Sequence, residues 1–160
     1  MCEYCGCQSL ASIDELTREH DEVVRLISHL RPAHQAGDVA PMAQVAREIR
    51  AVLGPHTQVE EHGLFPAMAR DFPGQIAALE AEHRRVEAVL VEAADGVTPS
   101  DPAWPDRLVA AMAMLRDHIL KEQDGVFPAA LAGLGTEDWE AVEAERLRAC
   151  GPRQGRVEPT

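Results

Sequence analysis

The chain has 160 residues, enough for one domain with a sizeable core. Its 27 acidic residues outweigh 15 Lys and Arg, a net charge of −12 with His neutral, which speaks against nucleic acid and anionic membrane as partners because both need basic surface. No apolar run approaches the ~20 residues that span a bilayer, and the start Met1-Cys2-Glu3-Tyr4-Cys5 lacks the basic-then-apolar pattern of a secretory signal, so a cytoplasmic location is expected.

Residues 1–8 read as a short leader in which Cys2, Cys5 and Cys7 crowd together; the fourth Cys is Cys150. In a reducing compartment such clustering points to metal or redox chemistry rather than a disulfide framework. Three thiolates at this spacing suit Zn or an iron–sulfur cluster, though four ligands are normal. The alternative is a flexible, redox-sensitive tail.

Residues 9–150 read as a helical bundle, being rich in Ala, Leu, Glu and Arg and poor in aromatics. Ser9 or Ser12 is the expected N-cap of the first helix. Ile13, Leu16, His20, Val23, Ile27, Leu30 and His34 then recur at three- and four-residue steps, the inward seam of a bundle helix. Gly37-Asp38 ends it. The second helix starts near Pro41 with Met42, Val45, Ile49, Leu53, His56, Glu60, Gly63 and Ala67 inward, and a kink is expected at Gly54-Pro55. Glu61 and His62 are expected to point away, and His29 also falls off the seam. The third helix carries Ile76, Leu79, His83, Val86 and Leu90, with Glu87 flanking the seam one turn after His83. A loop from Asp95 to Pro105 leads to the fourth, with Leu108, Ala111, Leu115, His118, Glu122 and Gly125 inward. Thr136 is expected to cap a shorter fifth helix that Gly151-Pro152 stops, and residues 151–160 read as a flexible tail. Short connections imply antiparallel neighbours, hence an all-α, up-down-up-down four-helix bundle with an additional short C-terminal helix.

Two stretches share one skeleton. His56 to Pro66 and His118 to Pro128 both read His-x3-Glu-x2-Gly-(Leu or Val)-Phe-Pro. Upstream, Glu19-His20 matches Glu82-His83. Residues four apart lie on one helix face, where His and Glu can hold a metal together. The chain is therefore two similar halves, each offering two His and one Glu to the interior.

An ionised carboxylate in a bundle core costs several kcal/mol unless it is paired or ligates metal, and no Lys or Arg occupies a neighbouring seam position. Two metal ions answer the need, each taking two His, with Glu60 and Glu122 bridging. A water, hydroxide or oxide completes the bridge. Glu87 reads either as a terminal ligand or as a solvated flank residue. His34 reads as core or bundle-end, and His29 and His62 as surface.

At these residues the chain resembles the hemerythrin-like (HHE cation-binding) family of non-haem di-iron four-helix bundles, over roughly residues 10–130. The resemblance implies two irons with an oxo or hydroxo bridge, His20, His56, His83 and His118 as imidazole ligands, and Glu60 and Glu122 as bridging carboxylates. It implies reaction with O2, hydrogen peroxide or nitric oxide, with catalase- or peroxidase-like turnover as the concrete form. A sensing or iron-binding module without turnover is the alternative; the electron donor or protein partner is not legible. Oxygen-carrying members use His-x3-His on the third helix and His-x4-Asp on the fourth. Here those places hold His83-x3-Glu87 and Gln123, which makes the site harder and more anionic and argues against reversible O2 carriage. The pattern is more similar to relatives in iron sensing and peroxide handling.

Overall fold

The computed structural model describes residues 4–151, with side chains from Gln8 onward. Cys2 and the side chains of Cys5 and Cys7 lie outside the described residues, and so does the metal or redox site expected there.

Every regular element among the described residues is helical. Helix α1 (Tyr4–Ser28) continues after a break at His29 as α2 (Leu30–Gln35). Helix α3 (Val39–Val59) runs through a π turn (Glu60–Leu64) into α4 (Phe65–Met68). Helix α5 (Pro73–Leu90) ends in a 3-10 turn, and α6 (Trp104–Lys121) runs through a second π turn (Glu122–Val126) into α7 (Phe127–Gly133). Helix α8 (Thr136–Cys150) is the appended one. The four long rods α1, α3–α4, α5 and α6–α7 form the bundle. Within it α1 packs on α3 and α5 on α6, while α8 lies across α1, α3 and the first π turn.

Several local expectations are corrected. The first helix is already running at Ser9 and Ser12, so neither caps it; Ser12 is buried instead. Helix α3 passes through Pro55 unbroken, and its irregularity comes one turn later as the π turn. Gly135, not Thr136, is the residue before α8, and its N–H donates to the Asp138 carboxylate at 3.1 Å. Gly125 is exposed rather than inward.

The π turns have a local cause. Each is followed by Phe-Pro, and a proline ring clashes with the carbonyl four residues back while supplying no N–H. Widening the turn relieves the clash: the N–H groups of Phe65 and Phe127 reach back five residues, to the carbonyls of Glu60 and Glu122.

The apolar interior falls into two clusters. One gathers Val23, Ile49, Leu53, Val86, Trp104 and Leu115. The other gathers Leu16, Val59, Phe65, Leu79, Phe127 and Trp139. Each buried Leu or Phe contributes about 1.5–3 kcal/mol. Along α1, α3 and α5 the seam passes from one cluster to the other at a His: His20 sits between Leu16 and Val23, His56 between Leu53 and Val59, His83 between Leu79 and Val86. The polar layer therefore lies across the bundle between two apolar plugs.

Candidate metal centre

Glu60 and Glu122 are completely buried, and His20, His56 and His118 nearly so. His83 is slightly more open. The six residues form two overlapping groups, His20, His56, Glu60, Glu122 and Glu60, His83, His118, Glu122, each offering ligand atoms within 4.8 Å of one another. The two glutamates belong to both groups, as bridging carboxylates must. Glu60 Oε1 lies 2.7 Å from His56 Nε2 and its Oε2 3.2 Å from His83 Nε2. Glu122 Oε1 lies 2.9 Å from His118 Nε2 and 3.4 Å from His20 Nε2.

Closeness does not amount to satisfaction. The Nε2 atoms of His20 and His118 and all four carboxylate oxygens of Glu60 and Glu122 are buried without a hydrogen-bond partner. Leaving one such group unmet costs about 1–3 kcal/mol, more if charged. Six such atoms converging on one place form a ligand set. Imidazole and carboxylate suit iron and similar transition metals, so the residues fit such ions.

Every imidazole turns its Nε2 inward because its Nδ1 is held from outside. The Nδ1–H of His56 donates to Glu19 at 3.2 Å, that of His83 to Glu61 at 2.9 Å, and that of His118 to Glu82 at 2.7 Å. His20 Nδ1 meets the Gln123 amide oxygen at 3.1 Å. Such outer partners fix the tautomer and orient the ring. They also form a closed circuit: α1 holds the His of α3, the first π turn that of α5, α5 that of α6, and the second π turn that of α1. Two cations stand behind it. Arg146 of α8 forks onto Glu19 at 2.7 and 2.9 Å, and Lys121 reaches Glu82 at 2.5 Å. Phe127 stacks on His20 at 5.4 Å and Phe65 on His83 at 5.7 Å between ring centroids.

Burial alone would push the His56 pKa down, but the Glu60 carboxylate, with Glu19, overrides it and lifts it to about 10. His83 is likewise lifted to about 9 against its burial, by Glu60 and Glu61. Burial would raise Glu60, yet the neighbouring imidazoles, His56 foremost, hold it well below the usual carboxylate range. Without metal, His56 and His83 are held protonated beside an ionised Glu60.

The structure brings together six of the seven expected core residues. Glu87 stands apart: it is exposed and ion-paired with Arg50 at 2.7 Å. Val86, one position earlier, takes the inward place. His34 lies on α2, partly exposed, bonded to Asp106 at 2.8 Å; His29 and His62 are exposed. Glu61, expected to point away, is the His83 partner. The sequence reading gives Glu19, Glu61, Glu82 and Gln123 no role in the site, although a readable signal exists: each adjoins a seam His or Glu, and the two halves place them alike. Cys150 ends α8, with its Sγ 3.8 Å from Arg146.

The chain is 27% identical over 133 residues to a DNA nickase of Nostoc sp. (strain PCC 7120 / SAG 25.82 / UTEX 2576), a match covering 82% of this chain and 37% of that protein. The chain thus spans little more than a third of that relative's length. No solved structure matches it. The hemerythrin HHE cation-binding domain matches residues 11–130, and the chain, with its paired His and Glu groups in a four-helix bundle, belongs to that family.

Proposed function

We propose that the chain is a non-haem di-iron protein that reacts with a small oxidant, hydrogen peroxide, O2 or nitric oxide, with catalase- or peroxidase-like turnover the form supported best. The observation that carries this reading is the set of six buried, partnerless donor atoms, within two four-residue groups that share both carboxylates. When bound, an iron pair with an oxo or hydroxo bridge supplies the two electrons that peroxide reduction needs. The protein's part is to fix four Nε2 atoms inward, hold Glu60 and Glu122 between the two positions, and seal the layer above and below with apolar side chains. His20, His56, His83 and His118 are the proposed imidazole ligands. Glu87, tied to Arg50 at the surface, is left out of the set.

A sensing module without turnover is a second reading, favoured by one contact. Arg146 on α8 is buried against Glu19, which holds His56, so occupancy of the layer and the seating of α8 are mechanically joined. Anything that binds the folded state stabilises it, and α8 would report the change. The relative that is a DNA nickase does not extend the proposal to DNA: the shared part is about one third of that protein, and this chain's charge of −12 opposes phosphate binding.

Elemental analysis of protein from iron-replete cells tests the core claim, with two irons per chain expected. Glu122→Ala should lower iron content and abolish peroxide turnover. Full iron and full turnover in that variant would sink the ligand assignment; iron with peroxide binding but no sustained turnover in the parent protein would select the sensor.

A further inference from the structure

We infer that small uncharged molecules reach the proposed metal centre through one cleft between α3 and α5, and that they arrive on the His83–His118 side of the pair. The inference rests on the metal-centre reading and adds a route and a side to it. The cleft encloses about 560 Å³, and His83 lies on its wall. Two other clefts, of about 400 and 660 Å³, touch none of the six proposed ligands. Exposure agrees independently. The His83 side chain is 8% exposed, against 1–2% for His20, His56 and His118.

The lining says what the cleft admits. Leu53, Val86 and Leu115 give it apolar surface. Its charged residues cancel: Arg47 and Arg50 against Glu87 and Asp95. Both cations already have partners. Arg47 is tied to the carbonyls of Ala93 and Val97 at 3.0 and 3.1 Å, and Arg50 is tied to Glu87. A neutral, partly apolar passage suits O2, nitric oxide and hydrogen peroxide better than an ionic substrate.

Gly54-Pro55 shapes this wall. A residue before proline resists helical geometry because its Cβ crowds the ring, and Gly54 has none. A Cβ at Gly54 would meet nothing within 4 Å, so the same residue leaves the cleft open. The Arg50–Glu87 pair joins the two walls, and both side chains are largely in solvent, at 41% and 48%. Exposed pairs of this kind contribute about 0–1 kcal/mol, so the bridge opens readily.

Ala51 tests the route without disturbing Pro55. It is exposed, sits on α3 and lines the cleft. Ala51→Trp should leave iron content and thermal stability unchanged, and should slow nitric oxide binding to the iron-loaded protein at least tenfold in stopped flow. Ala113→Trp, in the cleft between α1–α2 and α6, places equal bulk away from the centre and should leave the rate unchanged. In crystals of metal-free protein under xenon pressure, the gas should occupy the α3–α5 cleft and be absent from it in Ala51→Trp. An unchanged rate in iron-loaded Ala51→Trp, or an equal slowing in Ala113→Trp, overturns this inference alone. A parent protein that takes up no iron overturns the metal-centre reading and this one with it.

Discussion

Four imidazoles perform the same task with different support. His118 leans on a carboxylate that Lys121 also holds, and His56 on one that Arg146 neutralises. His20 leans on the uncharged Gln123. Removing an outer partner of a metal-bound His typically costs 10–100-fold in affinity. Glu82→Ala should therefore weaken iron binding within that range while the apo fold persists, as competition with a chelator would measure. Unchanged affinity would mean that the His118 ring is oriented by packing alone. This is also where the amino-acid pattern was least legible. His20, His56, Glu60, His83, His118 and Glu122 could be found because a helix repeats its inward face every three to four residues. Glu19, Glu61, Glu82 and Gln123 sit one position off that face, where an isolated helix gives them only water to meet; their partners come from neighbouring rods. Glu87 takes the second of its two readings, a solvated flank residue. Its spacing from His83 copies His56–Glu60, but Val86 already fills the inward place and no Gly-x-Phe-Pro follows to open a π turn.

At the level of elements, the two π turns match in backbone but differ in surroundings. A Cβ on Gly63 would lie 3.1 Å from the Val142 Cα, a backbone atom that cannot swing aside. Helix α8 rests on that spot. A Cβ on Gly125 would meet nothing within 4 Å. Gly63→Leu should thus cost about 1–3 kcal/mol by forcing α8 off, the range for overpacking a tight contact, whereas Gly125→Ala should be close to neutral. Urea unfolding of both variants checks this; equal effects would show that the close approach of α8 carries no weight. The helices and their order followed from periodicity and turn residues. The π turns did not, because Phe-Pro within a helical pattern is as compatible with a kink or a stop as with a widened turn.

For the whole molecule, metal and proton compete for the same layer. The pKa values of His56 and His83 in the metal-free fold, about 10 and about 9, stand above the ordinary 6.5. Groups raised on folding contribute stability that is fully present below about pH 6.5 and is lost as pH rises through 9 to 10. Metal-free protein should therefore lose thermal stability over that alkaline window. Metal needs the Nε2 atoms deprotonated, so iron affinity should rise with pH and loading should release protons. Melting curves from pH 6 to 10, with and without metal, test both signs. An apo protein that gains stability as pH rises would contradict protonated His56 and His83.

The circuit of outer partners crosses between the two halves of the chain. Gln123 and Phe127 serve His20, while Glu61 and Phe65 serve His83. Each half also lends the other a buried glutamate. Neither half owns a finished site, so the centre behaves as the joint property of two interlocked pieces. Opened at the exposed Asp71-Phe72 turn, the chain should give two fragments that hold no iron separately and recover the two-iron centre on mixing, as gel filtration with metal analysis would show. That is the arrangement expected of two copies of an ancestral helix pair that met face to face before one gene encoded both.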